Sequence, residues 1–492
     1  MKATRYLTLI ATAAILSCFA LNASGTSSRV IHAFNGADGD EPTWLLETSD
    51  GTLWGVTFLG GGGGLGNGVL YKIDRRGTFS VVHTFTDSPD GSLPGKLIQA
   101  SDRTIYGLTA GGGANFAGTV YKVTTAGAYS IVHSFNSTTE GSGPNHLFQS
   151  NDGFFYGTTS SGGIPDPACP NHEPQGTLFR MDPAGNVTAL HTFCEDSDGS
   201  VPDSVVEATD GFLYGTCKQD GPGLSAGTFW KSDKAGNVTL LHTFGPKTLN
   251  GDQPTEPNGI VQAGDGLFYG VANSGGLASN GAIFRADPAG NVTTIHSLSA
   301  LVTDGSDPES NFFLASDGFF YGTTSHGGLP FNDFNKAGIV YRTDTAGRLW
   351  VLHTFIGDDG SNPVAAPVLD PRGRSAFATA IFQGPSNHGT TINLNLRQNL
   401  PISDLTFSPN PVKGGQASTA TITLSRPAGS SGQVITLDGS GPATVPATIT
   451  VPSGQVTATF IVNTQTVSQS ITAGVTASIG SIGISASLTL TP

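Results

Sequence analysis

Seven histidines recur in one tetrad, apolar–His–Ser/Thr–Phe or a close variant, at His32, His83, His133, His191, His242, His296 and His353. Imidazoles in register could build a metal ring. Each one, however, falls on the last strand-like piece of a separate repeat, and ligands of one metal must lie ~2.0–2.1 Å from it. The reading that prevails is that each ring packs and hydrogen-bonds within its own repeat. An acid/Asn-Gly-x-x-Pro segment follows each tetrad, beginning at Asp38, Asp90, Glu140, Asp198, Asn250, Asp304 and Asp359. Loop oxygens of this kind can coordinate Ca²⁺ or hydrogen-bond a glycan. Asp38, Asp90, Asp198, Asp304 and Asp359 are therefore candidate ligand contacts, against the plainer reading of a turn with a solvated acid. The densest acidic spots, "EDSDG" (195–199) and "GDDG" (357–360), nominate Asp196, Asp198, Asp358 and Asp359 as Ca²⁺ ligands. Neither has the spacing of an EF-hand loop.

A second motif, Asp-Gly-x-apolar-aromatic-Gly, starts at Asp50, Asp102 (with Arg103 for Gly), Asp152, Asp210, Asp265 and Asp317, with a worn copy at Asp370. Its aromatic is Trp54, then Tyr106, Tyr156, Tyr214, Tyr269 and Tyr321. Asp-Gly is hairpin chemistry, and an Asp side chain can bond backbone N–H groups across the turn. These tyrosines and the tetrad histidines are thus structural repeat residues. In "SDGFFYGTTSHGG" (316–328) only the last four residues leave the shared wording, so His326 is the residue-specific candidate. Cys169, Cys194 and Cys217 fall in neighbouring loops, and a disulfide from Cys194 to Cys169 or Cys217 is expected. No P-loop, HExxH, GxSxG or dinucleotide fingerprint occurs. No residue is nominated as catalytic, although paired carboxylates for glycoside cleavage are a matter of spatial separation.

The elements that must carry these residues follow from their period of about 53 residues, near that of propeller blades. Each period holds four strand-like pieces; in one unit they are "KLIQAS", "TIYGLTA", "GTVYKVT" and "YSIVHSF". Four antiparallel strands make one blade. The array begins with a lone fourth strand, "RVIHAF", and ends with three strands near "AAPVLD", "SAFATAIFQ" and "TTINLNL". One plus three completes a blade and closes the ring, which removes open sheet edges. The expected fold is all-β: a seven-bladed β-propeller over 28–396, closed by its N-terminal strand. The acidic connections and the Gly-rich loops share one face, and the hairpin turns share the other. A pocket in the central channel with side chains departing from the repeat would separate a catalytic from a purely binding propeller.

The wording S-D-G-x-L-Y-G-T-T-x-x-G-G, then G-T-V-Y/F, then L-H-x-F, resembles the GloVer tandem repeat of bacterial choice-of-anchor surface proteins. The resemblance covers about residues 29–360. It implies an exported protein with a variable C-terminal part, and it implies no activity.

Composition agrees with short strands and tight turns: 68 Gly and 29 Pro in 492 residues, with only 12% charged. A net charge of −14 argues against nucleic-acid and anionic-lipid partners. Residues 1–25 read as a signal peptide, with Lys2 and Arg5 ahead of an apolar run. "ILSC" offers a second reading, with Cys18 lipidated. No later apolar run reaches the ~18–20 residues of a membrane span. After a linker at 397–403, residues 404–492 alternate Thr/Val/Ile with polar residues and turn every 8–12 positions, as an Ig-like β-sandwich does. It resembles bacterial Ig-like modules that serve as spacers or adhesive units. The expectation is a monomeric, secreted or cell-surface binding protein for a glycan or surface protein, without a cofactor unless Ca²⁺. The alternatives are an extracellular polysaccharide lyase or glycosidase and a purely structural surface-layer or matrix element.

Overall fold

A computed structural model describes residues 28–62, 66–74, 76–165, 174–223, 225–245, 253–277, 279–299, 304–328, 337–396, 401–479 and 482–492. The expected signal peptide, Cys18, Cys169 and Asn250 lie outside the described residues.

Six antiparallel blades follow the repeat: 40–84, 92–134, 142–192, 200–243, 254–297 and 313–354. Within each, the four strands lie in chain order, the first inward and the tetrad strand outward. Blade 7 is built from both ends of the array. Val368–Leu369, Ser375–Ala380 and Thr390–Asn395 supply three strands, and Ser28–Ala33 pairs antiparallel with the third, Val30 opposite Ile392. Phe34 N–H then donates to Gly389 O at 3.1 Å.

The blades stack through rings and small residues. The motif glycine of the second strand is where this is tightest. A Cβ on Gly215 would lie 2.2 Å from the Trp230 ring and 2.3 Å from Ser204 O, so nothing larger fits. The motif tyrosines are buried, and Tyr156, Tyr214, Tyr269 and Tyr321 each donate to the Asp four residues earlier, at 2.8–3.1 Å. The same Asp accepts the N–H two residues on, as Asp152 does from Phe154 at 3.0 Å. Side chains ending the first strands bind blade to blade: Gln149 Oε1 accepts Ser101 N–H (2.8 Å) and Gln262 Oε1 accepts Thr209 N–H (2.8 Å).

The C-terminal part is a two-sheet β-sandwich whose sheets share one apolar core that includes Leu405, Ile422, Ile435, Val475 and Leu488. Its first strand, Ile402–Ser408, begins inside the stretch expected to be linker. The sandwich is not a separate bead. Its last strand, Ile482–Thr491, pairs with the outer strand of blade 6, Leu349 opposite Ser485 and Trp350 opposite Ile484, giving one nine-stranded sheet. Trp350 is 4% exposed and belongs to the sandwich core, and Arg348 bonds Asp404 at 2.7 Å. No helix among the described residues is long and apolar enough to cross a membrane.

Candidate functional site

The tetrad histidines and the acids after them, read as two separate features in the sequence, are partners. His32, His83, His133, His191, His296 and His353 place Nε2 at 3.1, 2.7, 2.9, 2.6, 3.1 and 2.8 Å from Asp38, Asp90, Glu140, Asp198, Asp304 and Asp359. The other carboxylate oxygen caps the intervening turn: Asp198 accepts Cys194 N–H at 2.7 Å, and Asp359 accepts Ile356 N–H at 3.0 Å. Asp90, Asp198, Asp304 and Asp359 are buried, and Asp38 is half-buried. This corrects the expectation of a ligand-facing acid set, because buried carboxylates are satisfied internally before they can serve a ligand. Asp198 and Asp359 are likewise spent as Ca²⁺ candidates, and Asp196 and Asp358 are exposed beside them. Among the described residues no group of three or more His, Cys, Asp or Glu is placed to hold a metal ion.

His326 serves the loop face. Its Nδ1 meets both Asp307 Oδ2 (3.0 Å) and Ser325 Oγ (2.9 Å), and its Nε2 faces Asn362 Nδ2 at 3.4 Å in the next connection. A nucleophilic relay needs serine and carboxylate on opposite ring nitrogens, so this trio is a loop fastener. Cys194 is disulfide-bonded and Cys217 is a free, fully buried thiol. The Cys194–Cys217 pairing is thereby excluded, and the other named partner, Cys169, lies outside the described residues.

The residues missed in the sequence line the central channel, a cavity of about 540 Å³ walled by the first strands of all seven blades. Counting from Pro42, Pro94 and Pro144, the second position reads Trp44, Lys96 and His146 in blades 1–3. From Pro202, Pro257, Pro308 and Pro363 in blades 4–7 it reads Ser204, Gly259, Ser310 and Ala365, and Asn311 of blade 6 reaches the cavity. Trp44, Lys96 and His146 line the cavity, and the later blades line it chiefly with apolar residues such as Val205, Val261, Phe312 and Val368. Lys96 Nζ contacts His146 Nε2 and lies 5.4 Å from the Trp44 ring centroid. Burial deep in the ring pushes the Lys96 ammonium down to about 7, against the pull of Asp203. Burial, and then the Lys96 charge, hold His146 well below its ordinary value.

Asp203 is the position before this one in blade 4. In blade 3 the same register holds Asn145, whose Oδ1 accepts from Thr158 (2.7 Å) and whose Nδ2 donates to Pro202 O of the next blade (2.9 Å). In blade 5 it holds Asn258, donating to Pro308 O at 2.8 Å. Asp203 Oδ1 accepts from Thr216 at 2.8 Å, matching Asn145. By that equivalence its second oxygen falls where the asparagines carry NH₂, and only a protonated carboxyl can donate there. Burial, partly offset by Thr216 and Lys218, pushes Asp203 up to about 7. The folded state therefore holds more protons than the unfolded one between about pH 4 and 7, and the stability this lends is lost as pH rises through 7. Asp203→Asn is expected to be stabilised over the wild type by about 1 kcal/mol at pH 8, and by much less at pH 5. Urea denaturation midpoints at the two pH values check this; an equal gain at both would reject it.

Seven four-stranded blades around a channel, closed by the N-terminal strand, define a tandem-repeat β-propeller. The chain belongs to the Gloeobacter/Verrucomicrobia repeat family, whose model matches residues 16–225 and again 202–401. No curated protein matches it. Among solved structures it is similar to the extracellular domain assigned to a one-component system of B. thetaiotaomicron, at 11% identity and a TM-score of 0.49. That alignment covers 95% of this chain but only 58% of the other, so this chain spans well under two thirds of its length. It is also similar to a puromycin hydrolase (10% identity, TM-score 0.46, 79% of this chain and 59% of that one). A gluconolactonase of Xanthomonas campestris aligns at 12% identity, TM-score 0.38, over 75% of this chain and 89% of that one.

Proposed function

We propose that this protein is an exported binding protein that takes a saccharide in its central channel. The observation that carries the reading is the channel wall itself, where Trp44, Lys96 and His146 stand beside largely apolar residues from the other blades, among them Val205, Val261 and Phe312, around about 540 Å³. That volume falls among small-ligand pockets, roughly 300–1,000 Å³. An indole offers an apolar face for a sugar ring, and the flanking polar groups give its hydroxyls hydrogen-bond partners. The disulfide at Cys194 supports an oxidising compartment, hence secretion or the cell surface. No cofactor is part of this reading, and nucleic acid is not a partner.

A glycan array probed with the intact chain, with and without EDTA, tests it. The expected result is EDTA-insensitive binding that Trp44→Ala weakens roughly tenfold or more, a loss of ~1.4 kcal/mol or greater. Binding to no glycan, or binding indifferent to Trp44→Ala, would sink the proposal.

A second reading is favoured by one observation: Lys96 in the channel wall and Asp203, whose charge acts on it, are both pushed to about 7. Perturbed pairs of this kind mark acid–base sites. The channel would then cleave a polysaccharide as a lyase or glycosidase, and release of new chain ends that stops in Lys96→Met is the result expected of it.

A further inference from the structure

We infer that the channel ligand is an acidic saccharide whose carboxylate or sulfate is held by Lys96; this rests on the channel-binding reading above and narrows it. Lys96 carries an unmatched charge. Lys96 sits deep in the ring with no ion-pair partner among the described residues; its polar contact is the neutral His146 ring. The carboxylates that line the channel with it are Glu47 and Glu207, and Glu47 has an interaction of its own. Glu207 is paired with Lys234 at 2.7 Å and accepts from Ser150 and Asn151. Asp203 occupies an asparagine position in the blade-to-blade staple, where the proton-bearing form fits.

The resting contact is also a poor one. If Nε2 of His146 accepts from Lys96, its proton is on Nδ1, which is buried without a partner. A buried unsatisfied donor costs about 1–3 kcal/mol. An anionic oxygen entering the channel gives the ammonium a charge-assisted partner and relieves that compromise. Trp44, beside Lys96, is then placed for the ring that carries the acid group. Neutral saccharides leave the ammonium as it was, and burying an unpaired charge under a ligand is costly.

The sign of the pH effect follows from the same groups. Lys96 is met by His146 and by the charge of Asp203, with Lys218 acting on Asp203, and Glu47 and Glu207 line the same channel. Below about pH 7 Lys96 is charged and Asp203 is neutral, so an anion is welcomed. Above it, Lys96 loses its proton, Asp203 gains a charge, and the anion is repelled.

Calorimetric titration of the intact chain with trigalacturonate, a sulfated carrageenan oligosaccharide of similar length, and maltotriose tests this. The expected result is binding of at least one acidic ligand, tighter at pH 6 than at pH 8, with maltotriose at least tenfold weaker. Preference between the two acidic ligands tells carboxylate from sulfate. Lys96→Met is expected to weaken the acidic ligand roughly tenfold to a hundredfold, the range of a hydrogen bond to a charged group, and Lys96→Arg to restore part of it. Circular dichroism confirms that each variant is folded before it is titrated. Maltotriose bound as well as the acids, or acidic binding untouched by Lys96→Met, overturns the inference while leaving a channel binder in place. Binding of no saccharide overturns both.

Discussion

Phe34→Ala is expected to cost about 3–5 kcal/mol, as large-to-small core changes of aromatic residues do. Its particular effect is to open the ring. Phe34 is fully buried, 5.1 Å from the Tyr71 ring and edge-on to His32. It follows the closing strand Ser28–Ala33 and anchors that strand to blade 1 as well as to blade 7. Phe135 is the matching residue of blade 2 and is equally buried, but no seam depends on it. Both alanine variants should lose similar stability in urea. Only Phe34→Ala should release the N-terminal strand to limited proteolysis under native conditions. Equal protease resistance of the two would show that the closing strand is held by its ladder alone.

Trp350→Ser restores the residue type that the other blades use, and it is expected to free the sandwich. Opposite the cation of the third strand, the outer strands place Ser80, Ser130, Thr188, Thr239 and Thr293. Blade 6 alone places Trp350 there, opposite Arg342 and within the sandwich core. Loss of the indole removes about 3–5 kcal/mol from the joint and from the sandwich together. Small-angle scattering should report a broader distribution of maximum dimension, and proteolysis should separate the sandwich from the propeller. A variant that scatters like the wild type would mean that the ladder and the Arg348–Asp404 bond suffice.

Much of this architecture is legible in the sequence because repetition averages out local noise. The Asp-Gly and His motifs fix strand order in every blade, and the unequal ends of the array foretell the closure through Val30 and Ile392. The histidine–acid pairing is also written there, in a constant spacing of six to eight residues from His32 to Asp38 and from His296 to Asp304. It escapes notice because the two motifs invite different chemistry when read apart. The channel is harder to see. A site made of one residue per blade has no local signature, and reading for what repeats hides it. The available signal is divergence: aligned on Pro42, Pro94, Pro144, Pro202, Pro257, Pro308 and Pro363, Trp44, Lys96 and His146 stand out against Ser204, Gly259, Ser310 and Ala365. Trp350 is the same kind of signal, a large apolar residue on a strand face that its sisters leave polar. The docking of the sandwich could not be read from its own alternating strands, since either edge of such a module can accept a partner.

The seam of the ring has a consequence for how such chains change over generations. Closure falls inside a blade, with one strand from the start of the array and three from its end. Duplicating or deleting one internal unit of about 53 residues would leave those four strands untouched. The gene can therefore vary its copy number while the same clasp still fastens the circle, at six or eight blades as at seven. What such an event would alter is the bore, and with it whatever the divergent inner positions are selected to hold.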